Sequence, residues 1–151
     1  VNVTVLENTV FIEAPPERVW SVLARLDALH EYDPGVTKSE ITSDRRTGLG
    51  ANRRCEIAAG GWFCERVTAW EPSRSLELTL YDCTLPVKAL RHRYTLSAER
   101  GGTRVEQTQE YTLKYGPLGA ALDGLLVRRQ WDQGIKRFFA GLKDHVEAGR
   151  S

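Results

Sequence analysis

Glu65, His92 and Tyr94 are the residues of this chain whose types could hold or move a proton in a cavity, and each lies in a segment where apolar and polar residues alternate. In 88–98 the apolar members Leu90 and Leu96 share their parity with His92 and Tyr94, which leaves Arg91 and Arg93 for water. In 103–114 the set Val105, Gln107, Gln109, Tyr111 and Leu113 is uncharged, whereas the alternate set holds Arg104, Glu106 and Glu110. In 75–82 the inward face is Leu76, Leu78 and Leu80. The hairpin over 51–70 admits two registers. A two-residue Gly60-Gly61 turn would set Ile57 beside Cys64 and Arg66. A three-residue loop over 59–61 sets Cys55 and Ile57 with Phe63, Glu65 and Val67, a more apolar face, and is the register expected.

Glu65 is then the one acidic residue on an apolar wall dotted with His92, Tyr94, Gln107, Gln109 and Tyr111. Each unpaired polar group buried there would cost about 1–3 kcal/mol, so the set needs partners: one another, water, or the polar head of a ligand. Desolvation by Phe63, Val67 and the leucines is expected to raise the Glu65 pKa, so that it exchanges protons near neutrality. His92 and Tyr94 would orient or protonate a carbonyl oxygen. Such a trio suits aldol-type cyclisation or elimination of water.

Other chemistries find less support. The three histidines, His30, His92 and His145, fall on separate segments with no HxxxH or HExxH spacing, so no metal site and no cofactor is expected. No nucleophile elbow is present. GLGANR at 48–53 lacks a third glycine and joins two strands, not a strand and a helix. The pairs Arg45-Arg46, Arg53-Arg54 and Arg128-Arg129 are short and separated, and read as solvated faces. With 21 Lys+Arg against 20 Asp+Glu the net charge is +1, which argues against a nucleic-acid partner.

These residues must be positioned by a single domain over 1–151, since the 151 residues are 41% hydrophobic and show no linker or repeat. The segment from Val3 to Glu13 reads as a strand that Pro15-Pro16 ends, because proline cannot extend a ladder but suits a helix start. Val19, Trp20, Leu23 and Leu26 then fall at helical spacing, and Leu29 to Tyr32 adds a second short turn before Asp33-Pro34-Gly35. Six strands follow, near 36–44, 51–58, 62–70, 75–82, 88–98 and 103–114. Their short connections require antiparallel pairing. A long helix runs from Leu118 to Val146 with Leu118, Leu122, Leu125, Ile135, Phe138, Leu142 and Val146 as its apolar stripe. Gly124 and Gly134 in its interior mark either close packing or gentle bending of the helix, or room for a ligand beneath it. Trp62 and Trp70 alternate with the inner face, and the chain is expected to be a monomer or homodimer.

No apolar run approaches the ~20 residues of a membrane span, and the opening VNVTVLENTVFIEA does not read as a secretory leader. Cys55, Cys64 and Cys83 are odd in number and form no CxxC pair, so no disulfide framework is expected and a reducing, cytoplasmic setting fits.

Three segments carry a family resemblance: VFIEAPPERVWSVLARLDALHEYDPGV at 10–36, ERVTAWEP at 65–72 and GPLGAALDGLLVRRQWDQGIKRFFAGLKDHVE at 116–147. Together with the strand order they make the chain resemble the START-like (SRPBCC) superfamily of polyketide cyclases/dehydratases, lipid-transfer domains and the birch-pollen-allergen fold. One departure is Tyr32, where many relatives carry tryptophan. The resemblance implies an α+β helix-grip fold: a seven-stranded curved antiparallel sheet wrapped around a long C-terminal helix, with two short helices after the first strand. It also implies a pocket for a small hydrophobic or aromatic ligand such as a lipid, polyketide, quinone or isoprenoid. A pocket-facing glutamate occurs on a matching strand of the hormone-receptor members. The ligand-facing set expected here is Phe63, Glu65, Val67, Leu78, Leu80, His92, Tyr94, Gln107, Gln109 and Tyr111, with Trp131 and Ile135 from the last helix. The alternatives are a cyclase, aromatase or dehydratase with Glu65 as the proton-transfer group and His92 and Tyr94 as helpers, or an interaction module whose pocket Trp131, Phe138 and Phe139 fill.

Overall fold

Pro15 and Pro16 divide the first strand, β1 (Thr4–Ile12), from the first helix, α1 (Pro16–Leu23), in a computed structural model that describes residues 3–149. The outermost residues of the expected domain, 1–2 and 150–151, lie outside the described ones. Pro16 occupies the first helical turn, where its missing N–H has no carbonyl to meet, and Val19, Trp20, Val22 and Leu23 are buried. A 3₁₀ turn at Leu29–Glu31 leads into β2 (Val36–Ile41). Then come β3 (Asn52–Ile57), β4 (Trp62–Glu71), β5 (Ser75–Cys83), β6 (Val87–Glu99) and β7 (Gly102–Leu113). All pairings are antiparallel, in the order β1-β7-β6-β5-β4-β3-β2. The chain has the α+β helix-grip architecture, one curved seven-stranded sheet and a C-terminal helix.

That helix is not uniform. It runs as α2 (Gly116–Leu122), a single π-type stretch over Asp123–Val127, and α3 (Arg128–Glu147). Only α3 buries the expected stripe: Ile135, Phe138, Leu142 and Val146 are in the core, whereas Leu118, Leu122 and Leu125 are exposed. The wide turn rotates the helix face, and Asp123, not a leucine, is the side chain it buries. Cross-links to β1 tie α3 down. Asn8 Nδ2 donates to Asp132 Oδ1 at 2.8 Å, Lys143 Nζ to the Phe11 carbonyl at 2.9 Å, and the Glu13 N–H to Glu147 Oε2 at 2.8 Å. Against the 3₁₀ turn the approach is close enough that a Cβ at Gly141 would lie 1.9 Å from the Tyr32 carbonyl oxygen.

Two bulges set which side chains face inward. Between Val67 and Ala69 the register on β5 slips by one residue, so Trp70 turns inward opposite Leu76 and packs edge-on against Trp20, ring centroids 5.0 Å apart. The alternation that placed Trp70 outside fails at this bulge. Trp62 does lie away from the core, with the Arg54 guanidinium 4.3 Å above its ring. A second slip between Cys64 and Glu65 pairs Glu65 with Leu80. No helix among the described residues is long and apolar enough to cross a membrane.

Candidate functional site

The hairpin of β3 and β4 places the site's charges. Cys55 lies opposite Phe63 and Arg53 opposite Glu65, so these four side chains share the inner face. The Ile57 N–H donates to the Gly61 carbonyl at 2.9 Å, which makes the three-residue loop 58–60 and not 59–61. The face assignment is unaffected, because the shift is by an even number of positions along the pair. By the same parity Arg53 belongs inside, two residues before Cys55. Its charge led the sequence reading to place it on a solvated face; the structure buries it to 4% exposure.

Burial of Arg53 is possible because Glu65, 2% exposed, answers it. Arg53 Nε donates to Glu65 Oε1 at 2.9 Å, and Nη1 reaches the Leu26 carbonyl at 3.4 Å. From β6, His92 Nε2 contacts Glu65 Oε2 in a short hydrogen bond. His92 Nδ1 lies 2.8 Å from Tyr94 Oη, to which Gln107 Nε2 on β7 donates at 3.3 Å. The five side chains thus form one relay, Arg53–Glu65–His92–Tyr94–Gln107, across the inner face.

The relay reverses the expected effect of burial on Glu65. Desolvation pushes its pKa up, but the His92 and Arg53 charges and their hydrogen bonds outweigh this and hold it at about 2. Glu65 is therefore a fixed anion, not a carboxyl that trades protons near neutrality. Burial prevails elsewhere: against the lowering effects of Gln107 and Arg53 it lifts the Tyr94 phenol well above its usual range, and against that of Arg53 it pushes the Cys55 thiol up to about 12. The Asp33 carboxyl is likewise raised by burial, partly offset by its bond from the Gly35 N–H and by Arg53.

Between this face and α3 lies a cavity of about 600 Å³, partly open to solvent and mostly apolar. Of the expected ligand-facing residues, Phe63, Glu65, Leu80, His92, Tyr94, Gln107 and Gln109 line it from the sheet, and Trp131 and Ile135 from α3. Val67, Leu78 and Tyr111 do not. Val67 and Leu78 face each other across β4 and β5 in the packed core. The Tyr111 hydroxyl donates to Asp123, and its ring packs tilted against Trp131, ring centroids 4.3 Å apart. Asp123 also accepts from Thr4 Oγ1 at 2.7 Å and Arg128 Nη2 at 3.0 Å, a cluster invisible in the sequence because it joins the two ends of the chain. The sequence reading also missed the residues that shape the cavity's rim, among them Asp33 and, on α3, Gln130 and Arg137. Loops and a helix face that meet only in the fold leave no local signal.

Trp131 and Phe138 line the cavity without filling it, so a self-filled interior does not describe this chain. Gly134 also lines it, and a Cβ there, as at Gly124, would meet nothing within 4 Å. Close packing accounts for neither glycine. No group of three or more histidine, cysteine or acidic side chains that could hold a metal ion occurs among the described residues.

Comparison with known proteins agrees with this geometry. Residues 3–147 match the family described as polyketide cyclase / dehydrase and lipid transport. Uncharacterized proteins of Mycobacterium bovis and Mycobacterium tuberculosis are 30% identical over 142 residues, covering 93% of this chain and 83% of theirs. Among solved structures, TTHA0849 from Thermus thermophilus is similar with a TM-score of 0.83 at 22% identity, over 98% of this chain and 100% of that one. Ara h 8.0201 is similar with a TM-score of 0.78 at 16% identity, over 97% and 99%. At these identities the two structures speak for the fold alone.

Proposed function

Since the chain belongs to the polyketide cyclase/dehydrase and lipid transport family, we propose that it binds one small hydrophobic or aromatic molecule in the cavity between sheet and α3. The observation that carries this reading is the cavity itself: about 600 Å³ of mostly apolar space with its polar groups gathered on one wall. That size and lining fit a lipid-sized or polycyclic ligand, for which apolar contact supplies affinity and a few polar groups fix orientation. Native mass spectrometry of protein purified without detergent, followed by organic extraction, tests it. An apolar adduct at one per chain supports carriage. Protein that arrives bare and takes up no neutral solvatochromic dye overturns it.

A second reading, ring closure or dehydration of a polyketide, rests on the Glu65–His92–Tyr94 relay. In that case Glu65 anchors the imidazole without carrying the proton itself, and His92 with Tyr94 would deliver a proton to a carbonyl oxygen. Glu65→Gln separates the two readings. Lost turnover of a linear polyketide-type substrate with binding retained favours the enzyme; equal loss of both favours binding.

A further inference from the structure

Gln107 is 3% exposed and lines the cavity, and its Oε1 has no hydrogen-bond partner among the described residues. The relay fixes which end of that amide is left over. Glu65 is ionised, so both its oxygens accept and His92 Nε2 must carry the hydrogen it gives to Oε2. With a neutral imidazole, Nδ1 is then bare and takes the Tyr94 hydroxyl hydrogen. Tyr94 Oη has only lone pairs remaining, and Gln107 answers with Nε2–H. Every hydrogen points back towards Glu65, and the far end of the chain is a carbonyl oxygen. A buried acceptor left unmet costs about 1–3 kcal/mol.

We infer that the ligand of this cavity is an apolar molecule bearing a hydrogen-bond donor, an alcohol or phenol hydroxyl, that meets Gln107 Oε1. This deepens the binding reading above and rests on it. A ketone, ether or ester would set lone pair against lone pair at this point. A donor hydroxyl completes the relay, and the remaining cavity wall contacts its hydrocarbon.

Displacement of the neutral dye Nile red by decanol and by its methyl ether tests the inference. The two ligands share a chain and differ in the donor. Decanol is expected to bind about tenfold tighter than the ether to the wild type, and Gln107→Leu to narrow the difference to about twofold. The wild-type comparison stands whether or not the variant folds. Dye uptake with ether and alcohol bound equally overturns this inference and leaves the cavity reading intact. Failure of the dye and both ligands to bind overturns both.

Discussion

Arg53 and Glu65 face each other on neighbouring strands, and their side chains meet at 2.9 Å with 4% and 2% of their surface left to water. A pair so far from solvent loses most of its hydration, so its net worth depends on both partners being present. Replacing one partner alone leaves the other as an uncompensated charge.

Arg53→Met is therefore expected to destabilise the fold by about 3–5 kcal/mol, read from urea denaturation. The double variant Arg53→Met/Glu65→Gln should recover more than half of that loss. Losses that simply add would show that the two residues do not act as a pair.

The lowered Glu65 pKa makes stability depend on acid in a defined window. An unfolded chain holds this carboxyl near 4.5 and the folded one at about 2, so below 4.5 the unfolded state binds the extra proton. The stabilisation is complete above pH 4.5 and is lost as pH falls towards 2. Glu65→Gln should flatten the stability–pH curve across that interval, measured by denaturation at each pH. An unchanged slope would mean that other carboxylates govern acid unfolding.

Gly134→Leu should stabilise the protein and impair binding at once. A helical glycine costs roughly 1 kcal/mol relative to a good helix former, and a Cβ at this position meets nothing. Because Gly134 lines the cavity, the new side chain occupies ligand space. Thermal melting should rise by a few degrees while dye affinity falls about tenfold. A rise in melting temperature with affinity intact would place the ligand elsewhere.

Gly141→Ala should do the reverse of what helix propensity alone predicts. Its Cβ would stand 1.9 Å from the Tyr32 backbone oxygen, so α3 must move off the 3₁₀ turn, at an expected cost of about 1–3 kcal/mol. Gly124→Ala, with open space around it, should gain up to about 1 kcal/mol. Melting curves of the two alanine variants, run side by side, check the contrast.

Much of the site was legible because strand alternation is a local rule. His92, Tyr94, Gln107 and Gln109 could be put on the cavity side from parity alone, since β6 and β7 pair without a slip from Ala89 to Glu99. The rule broke where the backbone inserts a residue: the bulge near Val67 turned Trp70 inward, and nothing in the sequence ERVTAWEP marks it. It was also overruled where it should have been kept. Arg53 has the parity of Cys55, yet a lone guanidinium is too costly to bury, and only its partner, twelve residues on, makes the position tolerable.

The order of elements, the antiparallel sheet and the inward face of most strands could all be read from the order of residues. They follow from hydrophobic period, proline and glycine placement, and turn length, all of which act over a few residues, while the family was legible only as a resemblance carried by the segments 10–36, 65–72 and 116–147. The charge state and the partners of the site could not, and were set by the folded arrangement. Whether Glu65 holds a proton depends on Arg53 and His92, groups on other strands whose distances no spacing encodes. Desolvation and charge pairing are both large in a buried site and opposite in sign, so the outcome is set by where those partners stand in space.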